Sequence, residues 1–308
     1  MVFDIAVNIT DNQYLGEYYQ KTKHICDIPQ VVERARAKEI QMVFLGTSLS
    51  TSIESIYLAE QYDQFATIGI HPGSTTECTP KDILAIQQLL TGTSPKTYTH
   101  LLRDQVQSIV TSTNPTSQRI IAIGEVGLDY FRDYSPRETQ REVFQAMLEL
   151  SKLSPLPYLL HYRDCQDDFL DLISNYQIRG VVHSFTGTLE EMHVLTSKGF
   201  YIGINGASIR ENPETKVIEE LDLTRLLVET DAPWCSIRKT SPYYNSTQEY
   251  LPAKKTWSPE LGYKGRNEPL NLYQVIDIIA SIKEVSPAEI IQITNQNFNN
   301  LFQPPTTI

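Results

Sequence analysis

Short apolar runs recur along the chain, and between them lie stretches with the spacing of amphipathic helices, such as Leu272, Val275, Ile276 and Ile279. The runs are continuous rather than alternating, which is typical of parallel strands that are buried on both faces. They predict strands at Val2–Val7, Met42–Leu45, Ala66–Ile70, Ile120–Gly124, Pro157–Leu160, Gly180–Val182, Tyr201–Ile204 and Leu226–Val228.

The spacing of these strands favours a closed barrel. Successive strands begin 21 to 40 residues apart, enough for one strand and one crossover helix, except for a gap of 54 residues before Ile120. That gap predicts an inserted excursion at about residues 73–118. Eight strands that alternate with helices predict a (β/α)8 TIM barrel, with a doubly wound open sheet as the alternative. We expect one domain over residues 1–308, with a long loop at about 236–270.

Composition and net charge exclude several classes of protein and restrict the substrates that the chain could bind. The 308 residues are 41% hydrophobic and 20% charged, as in ordinary globular proteins, and no apolar run is long enough to predict a membrane span. The N-terminal segment carries Asp4 and Asp11 without a basic region, so we expect a cytoplasmic or nuclear protein that is not secreted. The four cysteines show no C-x-x-C spacing, which excludes a zinc ribbon. A net charge of −11 repels nucleic acid at long range, so a polyanionic substrate would need a metal or a local basic patch.

Polar side chains lie at or just beyond the ends of the predicted strands: Asn8, Thr47, His71, Glu125, His161, His183, Asn205 and Asp231. In a parallel barrel these residues would lie at the C-terminal face, where active sites of this fold are built. Two histidines and two carboxylates that converge there, His161, His183, Glu125 and Asp231, predict a metal site that activates water. The alternative for any single histidine is a hydrogen-bonded strand-end residue.

Ordered motifs connect these residues with a known family. The segments that carry the resemblance are AIGEVGLDYFRDYSPRETQREVF, LLHYRD, VVHSFTGTLEEM, YIGING, LLVETDAPW, GIHP at Gly69–Pro72 and RNEP at Arg266–Pro269. From Phe3 to about Phe302 the sequence resembles the TatD-type metal-dependent deoxyribonucleases. The resemblance implies an amidohydrolase-type barrel, a divalent metal and hydrolysis of DNA phosphodiester bonds, as a 3′-to-5′ exonuclease.

The resemblance also implies roles for individual residues. Glu125 of GEVGLD matches the carboxylate that can bridge two metals, and His161 and His183 match the histidine ligands. Asp231 of ETDAPW matches the aspartate that holds or orients the attacking water. His71 of GIHP matches a residue near the scissile phosphate, with a plain turn residue as the alternative.

The first strand departs from the pattern of many relatives, which place a His-x-His pair there. Ala6 and Asn8 stand at those two positions. The sequence therefore predicts one firm metal site and a weak second one, to which Asn8 would offer a carbonyl oxygen. Two imidazoles favour Zn²⁺ or Mn²⁺ on ligand softness, whereas the resemblance implies Mg²⁺ for turnover, and we expect Mg²⁺.

Two further features predict contacts with DNA. Arg163, two residues after His161, could meet a phosphate with its planar guanidinium, with a structural salt bridge as the alternative. The loop at 236–270 holds six basic and three acidic residues among several aromatic ones. Cations interleaved with aromatics suit unpaired bases, and the candidates are Lys254, Lys255, Trp257 and Arg266. The alternative is a loop that packs on itself.

The leading hypothesis is a metal-dependent deoxyribonuclease whose partner is its DNA substrate; it needs no obligate protein partner and acts as a monomer. A metal-dependent amide or lactone hydrolase on the same barrel is the alternative within enzymes. A catalytically weak nucleic-acid-binding protein is the alternative from another class. The missing His-x-His pair favours that last hypothesis, and the presence of Glu125, His161, His183 and Asp231 opposes it.

Overall fold

The computed structural model describes residues 1–93, 98–111, 117–211 and 216–302. Within them the main strands are β1 (Val2–Val7), β2 (Ile40–Phe44), β3 (Phe65–Ile68), β4 (Ile120–Asp129), β5 (Tyr158–Arg163), β6 (Gly180–Val182), β7 (Tyr201–Ile204) and β8 (Leu226–Val228). The α-helices are α1 (Ile28–Arg36), α2 (Leu49–Tyr62), α3 (Pro80–Thr91), α4 (Asp104–Gln107), α5 (Arg137–Leu148), α6 (Gln166–Ser174), α7 (Leu189–Ser197), α8 (Gly206–Glu211), α9 (Lys216–Glu220), α10 (Leu272–Lys283) and α11 (Pro287–Phe302).

Shorter elements fill several connections. There are 3₁₀ turns at Pro72–Ser74, Thr99–Leu101, Ser117–Arg119, Glu149–Lys152, Leu223–Arg225, Tyr244–Ser246 and Pro269–Asn271. Two-residue strands pair Glu17–Tyr18 with Lys21–Thr22, and Ala253–Lys254 with Gly262–Tyr263. Within the described ranges, no helix is both long enough and apolar enough to cross a membrane.

The strands β1 to β8 form one sheet in chain order. After β8, Ala232 forms a parallel bridge with Val7 of β1, and its carbonyl accepts a 2.8 Å hydrogen bond from the backbone N–H of Asn8. A doubly wound sheet would reverse the strand order at a switch point, and this sheet does not. The predicted (β/α)8 barrel is therefore confirmed.

Contacts divide the described chain into two compact units. The first comprises Met1–Val43 and Ser184–Asn300, and the second comprises Phe44–His183 with Leu301 and Phe302. The single domain expected over residues 1–308 stays a prediction. Parts of the predicted excursion, residues 94–97 and 112–116, and the segment 303–308 lie outside the described residues.

The first unit has its core along β1, β7 and β8. All six residues of β1 are buried, and the Phe3 ring stacks on Phe298 of α11 with a centroid distance of 3.7 Å. Leu226 of β8 lies opposite Ile202 of β7. The apolar face predicted for Leu272–Ile279 is buried in α10.

The second unit contains β3 to β6. Its excursion carries α3 and α4 and is held by Arg103, whose backbone N–H and guanidinium both donate to Glu54 of α2. The Glu54 side chain is 1% exposed and that of Arg103 is 35% exposed, so loss of Arg103 would leave a buried carboxylate without its partner.

Two strands run further than the sequence predicts. β4 continues five residues past Gly124 to Asp129, and β5 continues past Leu160 to Arg163. Glycine is unfavourable inside strands, which is why Gly124 and Gly127 suggest an end. A Cβ on Gly127 would lie 1.9 Å from the carbonyl oxygen of His161, so glycine permits the close approach of β4 to β5.

Candidate metal centre

A β-bulge on β4 positions Glu125. Ile123 lies opposite Tyr158, whereas Val126 lies opposite Leu160, so two residues of β4 face one residue of β5 between these pairs. Such bulges re-aim side chains and are common beside active sites. The backbone N–H of Glu125 donates to the carbonyl oxygen of Gly46 at 2.8 Å, which anchors the bulge.

Two histidines meet one carboxylate oxygen in the second unit. Glu125 Oε1 lies 2.7 Å from Nδ1 of His161 and 2.7 Å from Nε2 of His183. All three side chains are buried, and Nε2 of His71 lies 3.5 Å from the same oxygen. Three of the residues predicted to bind metal are therefore brought together, with His71 beside them.

Asp129 is a member of this cluster that the sequence analysis missed. Its Oδ2 lies 3.0 Å from Nε2 of His161, and its Oδ1 accepts a hydrogen bond from the backbone N–H of Arg132 at 2.9 Å. Residues 125 and 129 are separated by an even number along one strand, which places both on one face. The spacing of the two carboxylates in GEVGLD could have predicted Asp129 as a member of the cluster. It was not recognised, because the sequence predicts that β4 ends at Gly124.

The electrostatics of the cluster set its protonation. Burial opposes the ionised form of Glu125, but the neighbouring His183 and His71 outweigh burial and hold the pKa of Glu125 well below its usual range. Burial likewise disfavours the charged form of His161, yet its hydrogen bonds to Asp129 and Glu125 raise its pKa. The same bond, against the effect of burial, lowers the pKa of Asp129. Two buried carboxylates are thus ionised at neutral pH.

His71 has a different role from the other histidines. Burial lowers its pKa to about 4, so the ring is neutral at pH 7. The backbone N–H of Gly73 donates to Nδ1 of His71 at 2.9 Å, so the neutral ring carries its proton on Nε2. An Nε2–H group donates hydrogen bonds and does not ligate a metal through that nitrogen.

The donor set fits a divalent cation. Glu125 and His161 offer ligand atoms within 4.8 Å of each other, and a ring nitrogen of His71 lies within the same distance of both. Ionised carboxylates that are buried together need compensating positive charge, which a divalent ion supplies. Asp129 can accept the remaining ring N–H of His161, the arrangement that commonly orients a metal-bound histidine.

Asp231, the fourth predicted ligand, lies in the first unit just after β8. Its Oδ1 accepts a hydrogen bond from the side-chain amide of Asn8 at 2.9 Å, and its Oδ2 accepts one from the thiol of Cys235 at 3.2 Å. Nearby, the side-chain amide of Asn205 donates to Glu229 Oε1 at 2.9 Å. The role of Asp231 as a ligand stays a prediction.

The residues predicted to contact DNA have different surroundings. Lys254 and Lys255 are exposed. The Arg163 guanidinium lies over the ring of Phe131, 4.2 Å from its centroid. The indole N–H of Trp257 donates to Asp27 Oδ2 at 2.9 Å.

The structure contradicts the prediction that Arg266 contacts the DNA substrate. Its guanidinium donates to Asp27 and Glu268 at 2.7 Å each, and its side chain has no exposed surface. Glu268 in turn accepts hydrogen bonds from Arg34, so the four side chains form one buried ionic network. A phosphate cannot reach this guanidinium, and the predicted substrate contact is not supported.

Comparisons with known proteins show which family the chain is similar to. The family model "TatD related DNase" matches residues 3–303. The chain is 32% identical to "Deoxyribonuclease Tat-D" of Schizosaccharomyces pombe, covering 97% of this chain and 95% of that protein. It is 29% identical to "3'-5' ssDNA/RNA exonuclease TatD" of Edwardsiella piscicida, covering 98% and 99%.

A solved structure supports the same assignment. The crystal structure of a TatD family hydrolase from Entamoeba histolytica matches with a TM-score of 0.84 and 28% identity, over 98% of both chains. The predicted enzyme class, a hydrolase, is confirmed. Since the family model covers almost all of the described residues, the chain belongs to the TatD-related DNase family.

Proposed function

We propose that the protein hydrolyses phosphodiester bonds of DNA from the 3′ end with a divalent metal ion. The observation that carries the proposal is the buried oxygen Glu125 Oε1, which lies 2.7 Å from a ring nitrogen of both His161 and His183. Relatives named as deoxyribonucleases and as a 3′-to-5′ exonuclease support the substrate and the direction.

Glu125, His161 and His183 would hold the metal, which when bound polarises the phosphoryl group and acidifies water. Asp129 accepts the ring N–H of His161 and keeps its other nitrogen turned toward Glu125. Neutral His71 donates from Nε2 to a phosphoryl oxygen, where negative charge grows during the reaction. Asp231 accepts the proton of the attacking water, as the family resemblance implies.

We propose Mg²⁺ as the ion that supports turnover, with Zn²⁺ and Mn²⁺ as alternatives. The ionised oxygen of Glu125 suits a hard cation, whereas the imidazole nitrogens of His161 and His183 suit the softer ones. The proposal includes one tightly binding metal site, that of Glu125, His161 and His183.

The exposed pair Lys254 and Lys255 supports a contact with the DNA backbone. Because the net charge of the chain is −11, productive binding needs cations within about one Debye length, roughly 10 Å, of the phosphates. Replacing both lysines with alanine should raise KM and flatten the salt dependence by up to about two phosphate contacts. The exposed pair Lys21 and Lys23, also replaced with alanine, is the matched control.

The deciding experiment incubates the full chain with end-labelled single- and double-stranded oligonucleotides. Mg²⁺, Mn²⁺, Zn²⁺ and a chelator are compared in parallel, with the Glu125→Gln variant as the inactive control. Metal-dependent shortening from the 3′ end supports the proposal. Absence of DNA cleavage with every metal overturns it, and turnover of amide or lactone substrates instead would favour the alternative enzyme.

A further inference from the structure

Two large aromatic rings are exposed in the segment between β4 and α5. Phe131 is 63% exposed and Tyr134 is 73% exposed. We call these two residues the aromatic ledge. Most aromatic side chains described in the second unit are buried or partly buried, as in Tyr158 and Phe169, so the two exposed rings differ from the rest of the unit.

The ledge lies beside the metal cluster. Phe131 follows Asp129 by two residues, and Asp129 contacts His161. Tyr134 reaches the turn that carries His71, since a Cβ on Gly73 would lie 3.4 Å from Tyr134 Cδ2. Both rings are thus tied to residues that hold or flank the proposed reacting centre.

Positive charge accompanies the rings. The Arg163 guanidinium lies 4.2 Å from the centroid of Phe131, a cation–π contact that pre-orients both groups. Arg132, in the same segment, has a half-exposed side chain and bonds to Asp129. In a chain of net charge −11, cations next to exposed rings match a ligand with flat faces and negative charge.

We propose that the aromatic ledge stacks unpaired bases of the substrate strand, while Arg163 contacts an adjacent phosphate. Aromatic rings stack on every base because each base has a π-face, and paired bases inside a duplex do not offer those faces. This inference rests on the proposed function, since it takes a nucleic-acid strand as the substrate. It places base contacts on Phe131 and Tyr134 rather than on Trp257, whose N–H is bonded to Asp27.

The experiment compares two oligonucleotides and three forms of the full chain. One single-stranded oligonucleotide carries normal bases throughout, and the other has abasic residues at its three terminal 3′ positions. The double variant Phe131→Leu/Tyr134→Leu keeps apolar volume without rings. The double variant Phe131→Tyr/Tyr134→Phe keeps both rings and is the matched control. KM and kcat are measured for each pair with the metal that gives turnover.

The natural chain should have a KM about 5- to 100-fold lower for the base-bearing strand, as expected for stacking of one base. The ring-keeping variant should retain this preference, and the leucine variant should lose it. If the leucine variant prefers the base-bearing strand as strongly as the natural chain does, the proposed role of the aromatic ledge is wrong. It is also wrong if the natural chain has equal KM values for the two strands. Because the abasic strand probes the natural chain, the test does not depend on the folding of any variant.

The two levels of the hypothesis fail differently. If the natural chain cleaves neither strand with any metal, the proposed function fails and the ledge fails with it. If the natural chain cleaves DNA but ignores the abasic positions, the proposed function stands and the ledge alone is wrong.

Discussion

The side-chain amide of Asn8 donates a hydrogen bond to Oδ1 of Asp231 at 2.9 Å. The amide nitrogen must face the carboxylate, because the amide oxygen would be repelled by it. The sequence suggests that Asn8 offers its oxygen to a second metal. In the structure its amide nitrogen is a donor that orients Asp231, together with the thiol of Cys235, and the role of its oxygen at a second metal stays a prediction.

Replacing Asn8 with alanine should lower kcat about 10- to 100-fold with a small effect on KM, because a hydrogen bond to a charged group contributes about 1.5–3 kcal/mol. Asn8→Asp should be worse, since two carboxylates at this distance repel each other. Steady-state kinetics on a single-stranded oligonucleotide give kcat and KM for both variants. The exposed Asn245→Ala is the control, and an Asn8→Ala enzyme with natural kcat would contradict a positioning role.

Removing the shared carboxylate should remove metal binding and leave the fold intact. A bound ion stabilises the native state by mass action, so Mn²⁺ should raise the Tm of the natural chain in a concentration-dependent manner. Glu125→Gln should show no such rise and no DNA cleavage, whereas Glu138→Gln, an exposed position on α5, should behave as the natural chain. Differential scanning fluorimetry with and without chelator measures the shifts. An undiminished Mn²⁺ shift in Glu125→Gln would place the metal elsewhere.

Asp129 should control metal affinity through His161. Loss of a carboxylate that orients a metal-bound histidine typically weakens affinity about 10- to 100-fold, so Asp129→Asn should weaken Mn²⁺ binding by that factor at pH 8. Hydrogen bonds to Asp129 and Glu125 raise the pKa of His161, and metal must displace that proton. Affinity in the natural chain should therefore rise as pH rises through the raised pKa of His161.

In Asp129→Asn the midpoint of this rise should move to lower pH, because one of the bonds that favours imidazolium is lost. Isothermal titration calorimetry with Mn²⁺ from pH 6 to pH 9 gives both the affinity for Mn²⁺ and the pH midpoint of its rise. Asp133→Asn, an exposed carboxylate paired with Arg137, is the matched control. A pH profile unchanged in Asp129→Asn would assign Asp129 to packing alone.

Asp4 should make the first unit less stable as pH rises. Burial raises the pKa of this carboxyl to about 8, where it lies 2.6 Å from Oγ1 of Thr230. The unfolded chain releases this proton near pH 4, but the folded chain retains it up to about pH 8. Between these values the native state binds more protons, so unfolding free energy falls with pH and levels off above pH 8.

Asp4→Asn removes the titrating group. The fall in unfolding free energy between pH 5 and pH 8 should therefore become shallower by up to about 1.4 kcal/mol per pH unit. Urea unfolding of both proteins at several pH values measures the slopes. Equal slopes would show that the Asp4 carboxyl is ionised in the folded protein at neutral pH.

The barrel and much of the metal cluster could be predicted from the sequence, because continuous apolar runs define the strands and polar residues follow them. Glu125, His161 and His183 belong to that local pattern. Asp129 could not be found in the same way, since the glycines of β4 suggest an early strand end while they serve its approach to β5.

The prediction that Arg266 contacts DNA was wrong for another reason. A basic residue in a basic loop looks available, but its partner Asp27 lies 239 positions earlier in the chain. Pairing over that separation depends on the folded arrangement of the first unit and leaves no trace in local composition. The aromatic ledge was likewise hidden, because exposure of Phe131 and Tyr134 cannot be inferred from sequence alone.

Gly127 has a consequence for how variants of this protein lose activity. Any side chain at 127 would push β4 away from the His161 carbonyl, which a Cβ would approach to 1.9 Å. The displacement would fall on the two strands that bring Glu125 and His161 to a common ion. A residue that offers no donor atom is therefore as decisive for metal capture as the donors, and inactivating substitutions at this position would leave every ligand in the sequence untouched.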